Sequence, residues 1–169
     1  MTPEKRSQIK KTANMLERTL ARELNCRRIP MSGAIPSWKG DLESDRYLID
    51  SKNTEKPMVL ILASDLAKIN TEAREAGKEA GHLILTFLPD YHFAVVPTID
   101  CDFDSTQEYT VAGKSHRISK SILKSMVRRG KNKNAIPSFR IVFEKMRLGC
   151  PKDWLVIPLE IYKEHFTDE

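Results

Sequence analysis

A chain of 169 residues that is 40% hydrophobic and 30% charged amounts to about one domain, long enough to bury a core. No apolar run reaches bilayer-spanning length, and Met1-Thr2-Pro3-Glu4-Lys5-Arg6 leads into an amphipathic helix without an apolar signal segment, so a cytoplasmic protein with no membrane partner is expected. The net charge of +5 is modest, and Cys26, Cys101 and Cys150 are odd in number and lack the Cys-x-x-Cys pairing of a zinc site, so reduced, ordinary thiols are expected.

From about Pro3 to Asn25 the pattern is helical, with Ala13, Leu16, Leu20 and Leu24 forming one apolar stripe. Glu17 lies close to that stripe on a helical wheel and Glu23 further from its centre, which makes Glu17 the better candidate for a carboxylate held against a sheet. The residues from Arg46 to Lys52 have strand character. A two-residue period puts Leu48, Asp50 and Lys52 on one face and Tyr47, Ile49 and Ser51 on the other. Asp41 precedes this strand by a polar stretch, Glu43-Ser44-Asp45-Arg46, suited to turning the chain so that Asp41 lies opposite Asp50. A further strand is expected at Met58 to Ile61, and then a helix from about Ser64 to Ala80, with Ser64 and Asp65 as N-terminal caps and Gly81 as the stop.

Leu83 to Leu88 and Phe93 to Val96 read as buried strands separated by a turn at Pro89-Asp90-Tyr91. His82 and His92 flank this region, neither pairs with a second ligand at helical spacing, and no catalytic histidine is expected. Asp100-Cys101-Asp102-Phe103-Asp104 alternates three acids but fails as an EF-hand, because Ser105 replaces the required glycine and Val111 stands in place of the bidentate glutamate. From Lys114 to Lys133 the chain carries Lys114, Arg117, Lys120, Lys124, Arg128, Arg129, Lys131 and Lys133 without one acidic side chain, an electrostatic footprint for polyanion binding. Within it, Ile118, Ile122, Leu123, Met126 and Val127 predict an apolar helical face, followed by a loop at Gly130 to Asn134. Strands are expected at Arg140 to Glu144 and Trp154 to Leu159. The order is that of an α/β sandwich.

Asp41, Asp50 and Lys52 carry the chemistry. A hard Mg2+ ion takes one or two protein carboxylates, keeps several waters and lets a substrate phosphate complete its octahedral shell, so two aspartates suffice as anchors. A nearby lysine can orient a water or offset charge on the phosphate. Asp-x-Lys by itself is also what a solvent-facing edge strand displays. Its context narrows the reading: a Ser-Gly turn at Ser32-Gly33, a Lys39-Gly40-Asp41 step, a strand ending in Asp50-Ser51-Lys52 and then a helix follow in order.

The runs Arg27-Arg28-Ile29-Pro30-Met31-Ser32-Gly33-Ala34, Lys39-Gly40-Asp41 and Leu48-Ile49-Asp50-Ser51-Lys52-Asn53-Thr54 resemble the core of the PD-(D/E)xK nucleases, and within that superfamily are most similar to archaeal and phage Holliday junction resolvases. The similarity continues through Leu66-Ala67-Lys68-Ile69 and Glu72 to Lys78 into Leu83 to Phe87. It implies a restriction-endonuclease-like fold, a central mixed sheet flanked by helices, with residues 1–97 as nuclease core and 98–169 as an extension of the same domain bearing the basic helix. It further implies that Asp41 and Asp50 bind Mg2+, with Mn2+ as a substitute, that Lys52 serves the attacking water, that an acidic residue of the first helix, Glu17 or else Glu23, completes the site, and that Ser32 sits beside it. Many members have glutamate where this chain has Asp50, and the superfamily pattern permits either. The partner implied is DNA, as a four-way junction cut by a homodimer. Arg27, Arg28, Lys39, Arg117, Lys120, Lys124, Arg128, Arg129 and Lys131 are the expected DNA contacts. Cleavage of flaps, ends or duplex by the same centre, and a noncatalytic DNA-binding recombination accessory protein, are the alternatives.

Overall fold

The computed structural model describes residues 2–29, 40–89, 91–101, 105, 107–133 and 136–167, and the side chains of 3, 6 and 130–133 are outside the description. In chain order the elements are α1 (Pro3–Glu23), β1 (Arg27–Arg28), β2 (Leu42–Glu43), β3 (Tyr47–Thr54), β4 (Met58–Leu62), α2 (Ala63–Glu75), β5 (Ala80–Phe87), β6 (Tyr91–Pro97), β7 (Glu108–Val111), β8 (Ser115–Ser119), α3 (Lys120–Lys133), β9 (Phe139–Phe143), β10 (Asp153–Pro158) and α4 (Leu159–Phe166). The fold is α/β, with a central mixed sheet flanked by helices. Eight strands run in the order β1-β2-β3-β5-β6-β10-β9-β7, with β3 parallel to β5, β7 parallel to β9, and the other neighbours antiparallel. Because β10 lies between β6 and β9, residues beyond 97 extend the sheet begun by those before it.

The sheet is apolar on both faces, which is why β5 is buried along its whole length. On one face Leu20 and Leu24 of α1 join Leu159, Tyr162 and Phe166 of α4 over Leu42, Tyr47, Ile49, Ile84, Val96 and Ile157. On the other, Leu66 of α2 and Leu123 and Met126 of α3 cover Leu83, Leu85, Phe93, Val95, Phe139, Ile141 and Trp154, while Ile69 and Ala73 of α2 pack on Leu48. This alternation sends Leu48 toward α2 and its neighbours Tyr47 and Ile49 toward α1. It also puts His82 in the α1 layer, fully buried, with its ring 4.3 Å from that of Tyr47 and Nδ1 2.9 Å from the Tyr162 hydroxyl.

Several boundaries differ from those the sequence pattern predicts. The second helix ends at Glu75, five residues short, because Gly77 adopts φ +72° and turns the chain out. Gly81 then belongs to β5, where a Cβ would stand 2.4 Å from the Ile69 carbonyl oxygen, so its absence lets α2 lie directly on the strand. The strand at Met58 leaves the main sheet and pairs with β8 as a separate two-stranded ribbon. That pairing draws Ile118 into a strand instead of the basic helix. The helix starts at Lys120, with the Ser119 hydroxyl accepting from the Ile122 amide at 3.3 Å, and continues through the expected loop to Lys133. The last strand stops at Pro158, and Leu159, Tyr162 and Phe166, spaced as a helix face, form α4.

Candidate active site

Antiparallel pairing of Leu42 with Ile49 makes Asp41 the cross-strand neighbour of Asp50, and the Asp41 amide donates to the Ile49 carbonyl at 2.8 Å. Leu42 and Ile49 point into the α1 layer, so Asp41 and Asp50 share the opposite face, toward α2. Gly40, immediately before, sits at φ +71°, and a Cβ there would come within 2.8 Å of the Leu48 side chain. The Lys39-Gly40-Asp41 step therefore needs glycine at its centre to deliver the aspartate. Asp41 Oδ2 accepts from both the amide and the hydroxyl of Ser51, at 2.8 and 2.9 Å, which fixes the carboxylate beside β3.

The electrostatics of the pair are those of two acids forced together. Burial, the Asp41 charge and a hydrogen bond to Asp41 push the Asp50 carboxyl up to about 7, with Glu72 adding to the rise and Lys68 opposing it. Two converging carboxylates, one of them raised to about 7, form the kind of oxygen donor set that a hard divalent cation takes. Oxygen ligands of this kind suit Mg2+ or Mn2+. Among the described residues no group of three or more His, Cys, Asp and Glu side chains is placed to hold a metal.

Lys52, two residues beyond Asp50 on the same face of β3, gives its ammonium to the Asp65 carboxylate in the first turn of α2. Asp65, Lys68 and Glu72 recur at helical spacing, and through them α2 presents charge to both Asp50 and Lys52. The sequence pattern marked Asp65 only as a cap. Its spacing from Leu66 and Ile69, which are core, was the signal that would have turned it toward β3.

Glu17 is half-buried and its Oε2 accepts from Arg28 Nε at 2.8 Å, while Asn14 takes another Arg28 nitrogen. It lies on α1, whose apolar stripe covers the face opposite α2. Glu23 instead pairs with Lys163 of α4 at 3.1 Å. Arg28 thereby ties α1 to β1, which leads into Asp41 through the Ile29 amide and the Asp41 carbonyl, 2.9 Å apart. A double-mutant cycle on Glu17→Gln and Arg28→Gln should return a coupling of about 1 kcal/mol in denaturant unfolding, the upper end for a part-exposed pair. Additive losses would mean that the pair does not anchor the helix.

The expected DNA contacts are dispersed. Arg27 is bonded to Glu43, Arg129 Nη1 donates to Gln107 at 3.1 Å, and Lys120 and Lys124 stack on the Tyr91 ring with Nζ 4.7 and 5.2 Å from its centroid. Arg117 and Arg128 are exposed, on β8 and α3. Ser32, Lys39 and the Lys131 side chain, like Asp102 and Asp104, lie outside the described residues.

No helix among the described residues is long and apolar enough to cross a membrane. No family model matches the chain, and no curated protein matches it. Among solved structures, it is similar to Hjc of Archaeoglobus fulgidus, a Holliday junction resolvase from an archaeal hyperthermophile, with 21% identity and a TM-score of 0.44, over 64% of this chain and 87% of that one.

Proposed function

We propose that this protein is a Mg2+-dependent DNA endonuclease that hydrolyses phosphodiester bonds, with four-way junctions as substrate and a homodimer as the working form. The observation that carries the reading is the apposition of Asp41 and Asp50 on paired strands, where the Asp50 carboxyl is held up to about 7, with the ammonium of Lys52 further along the same face. Asp41 and Asp50 would hold the metal, and Mn2+ would substitute for it. The resemblance to resolvases would add to the same centre an acidic residue of the first helix, Glu17 or else Glu23, and Ser32 as the turn residue. When bound, the cation would polarise the scissile phosphoryl group and acidify a water.

The protein's own groups do the rest. Ser51 fixes the orientation of Asp41 through two hydrogen bonds, so the pair is built before any ligand arrives. Lys52 would present a positive charge where negative charge builds on the phosphate, and Asp65 holds its ammonium in place. A cationic surface from Arg117 through α3 would take the flanking backbone.

The test is cleavage of labelled four-way junction, flap and linear duplex, with Mg2+ or with chelator. Paired symmetric nicks in the junction, only with metal, are the expected result. Metal-dependent cutting of flaps or duplex instead would keep the centre and change the substrate. Chelator-resistant binding with no cleavage of any form would leave the accessory-protein reading standing and sink this one.

A further inference from the structure

Beside the face of α2 that meets Asp41 and Asp50 lies a second feature. An open cleft of about 870 Å³ lies between α2, the start of β8 and the turn after β9. Lys68, Lys114, Lys145 and Arg147 line it, four cations drawn from three separate parts of the chain, against the acids Glu72 and Glu75. Lys68 and Glu72 face one another at 3.9 Å, which leaves Lys114, Lys145 and Arg147 against the single acid Glu75. The remaining lining has the character of a backbone track: the hydroxyls of Ser64, Thr71 and Ser115 beside the small apolar surface of Ala67 and Met146.

The cleft and the carboxylate pair share a wall. Lys68 and Glu72 line the cleft and also act on the Asp50 carboxyl. Residues 64, 67, 68, 71, 72 and 75 turn one side of α2 to the cleft, and Asp65, which holds Lys52, stands at the edge of that side beside Glu72. A polyanion lying in the cleft would therefore run along the same side chains, Lys68 and Glu72, that act on the proposed reacting centre.

We propose that this cleft binds the phosphate backbone of one DNA strand of the substrate and leads it past α2 to Asp41 and Asp50. The proposal deepens the nuclease reading, on which it rests for the identity of the polyanion. Phosphates would pair with Lys114, Lys145 and Arg147, with the Ser64 and Ser115 hydroxyls as additional donors.

The experiment measures binding, not cleavage. Fluorescence anisotropy of labelled single-stranded DNA and of labelled four-way junction is followed against salt in chelator, for the wild type and for Lys114→Gln/Lys145→Gln/Arg147→Gln. Loss of three phosphate contacts should lower the slope of log K against log salt by about 2 for the single strand and weaken binding at least ~10-fold at ~0.1 M salt, with the melting temperature unchanged. Unchanged affinity and slope, or wild-type protein that binds neither DNA, would overturn the cleft assignment. Should the triple variant unfold, the three single substitutions decide, each with an expected fall in slope of about 0.7. The two readings separate cleanly: a wild type that cuts nothing but whose DNA binding depends on these residues sinks the nuclease and keeps the cleft. Active protein with an indifferent cleft does the reverse.

Discussion

Asp50→Asn is expected to abolish DNA cleavage, by a factor on the order of 10³, and, in chelator at pH 8, to raise the melting temperature. The two effects share one origin. Asp50 is half-buried and faces Asp41 across paired strands, and its carboxyl is raised from 3.8 to about 7 by burial first and by Asp41 second. An acid whose folded value exceeds its unfolded one holds its proton more tightly in the native state. Well below pH 3.8 both states are protonated and nothing is lost. As pH climbs toward 7 the unfolded chain releases the proton while the native one retains it, and the native state falls behind. Above that the deficit is complete, on the order of 3 kcal/mol once partial exposure is allowed for. Asparagine keeps the shape and removes the charge.

The gain from Asp50→Asn should accordingly be widest above pH 7, about 6–12 °C in melting temperature for a chain of this size, narrower at pH 5 and absent only below about pH 3. Mg2+ should stabilise the parent at pH 8 more than at pH 5.5, since its binding must displace the Asp50 proton at the lower pH, and should leave the variant's melting temperature nearly unmoved. Differential scanning fluorimetry across pH, with and without Mg2+, reads all of this. An Asp50→Asn protein that melts below the parent at pH 8 in chelator would contradict the apposition of the two acids.

Much of this centre is legible in the sequence because it depends on local rules. A strand period sends Asp50 and Lys52 to one face whatever the partner strand, and a short polar turn makes Asp41 and Asp50 neighbours. The core strands β5, β6 and β10 announce themselves by apolar runs between turn residues. What the pattern does not carry is pairing between distant segments. Nothing local in Met58 to Leu62 distinguishes a sheet strand from one that leaves to pair with Ser115 to Ser119, and that partnership is what turns Ile118 from a helix position into a strand position. Gly81 reads as a helix stop for the same reason: its role, a close approach of strand backbone to the Ile69 carbonyl, exists only once α2 has packed. Asp65 belongs to the same class. Its capping preference is a property of sequence, and its contact with Lys52 is a property of the fold. The cationic cleft draws on residues 68, 114, 145 and 147, and only the first of its walls is a single element.

Lys52→Ala should lower the turnover number by about 10³-fold while leaving the Kd for DNA within about threefold, because a charge aimed at the developing phosphate is used in the transition state and little in binding. Asp65→Ala is expected to cost less, about 10- to 100-fold, and in the turnover number instead of KM. The carboxylate touches no reacting atom in this scheme; it holds the Lys52 ammonium, and a charge displaced by an ångström loses about that much. Asp65→Glu, which retains the charge on a longer stem, should recover part of the loss. Positioning residue and positioned residue act as one unit, so the double variant Lys52→Ala/Asp65→Ala should be no slower than Lys52→Ala alone. Lys52 and Asp65 are both about one-third exposed, so neither substitution should cost much stability, and melting curves provide the control. Losses that multiply in the double variant would show that Asp65 acts independently of Lys52, and the role assigned to the α2 carboxylate would have to be abandoned. Losses that do not multiply would make this single contact between the first turn of α2 and the end of β3 the link through which helix packing sets the geometry of the reacting centre.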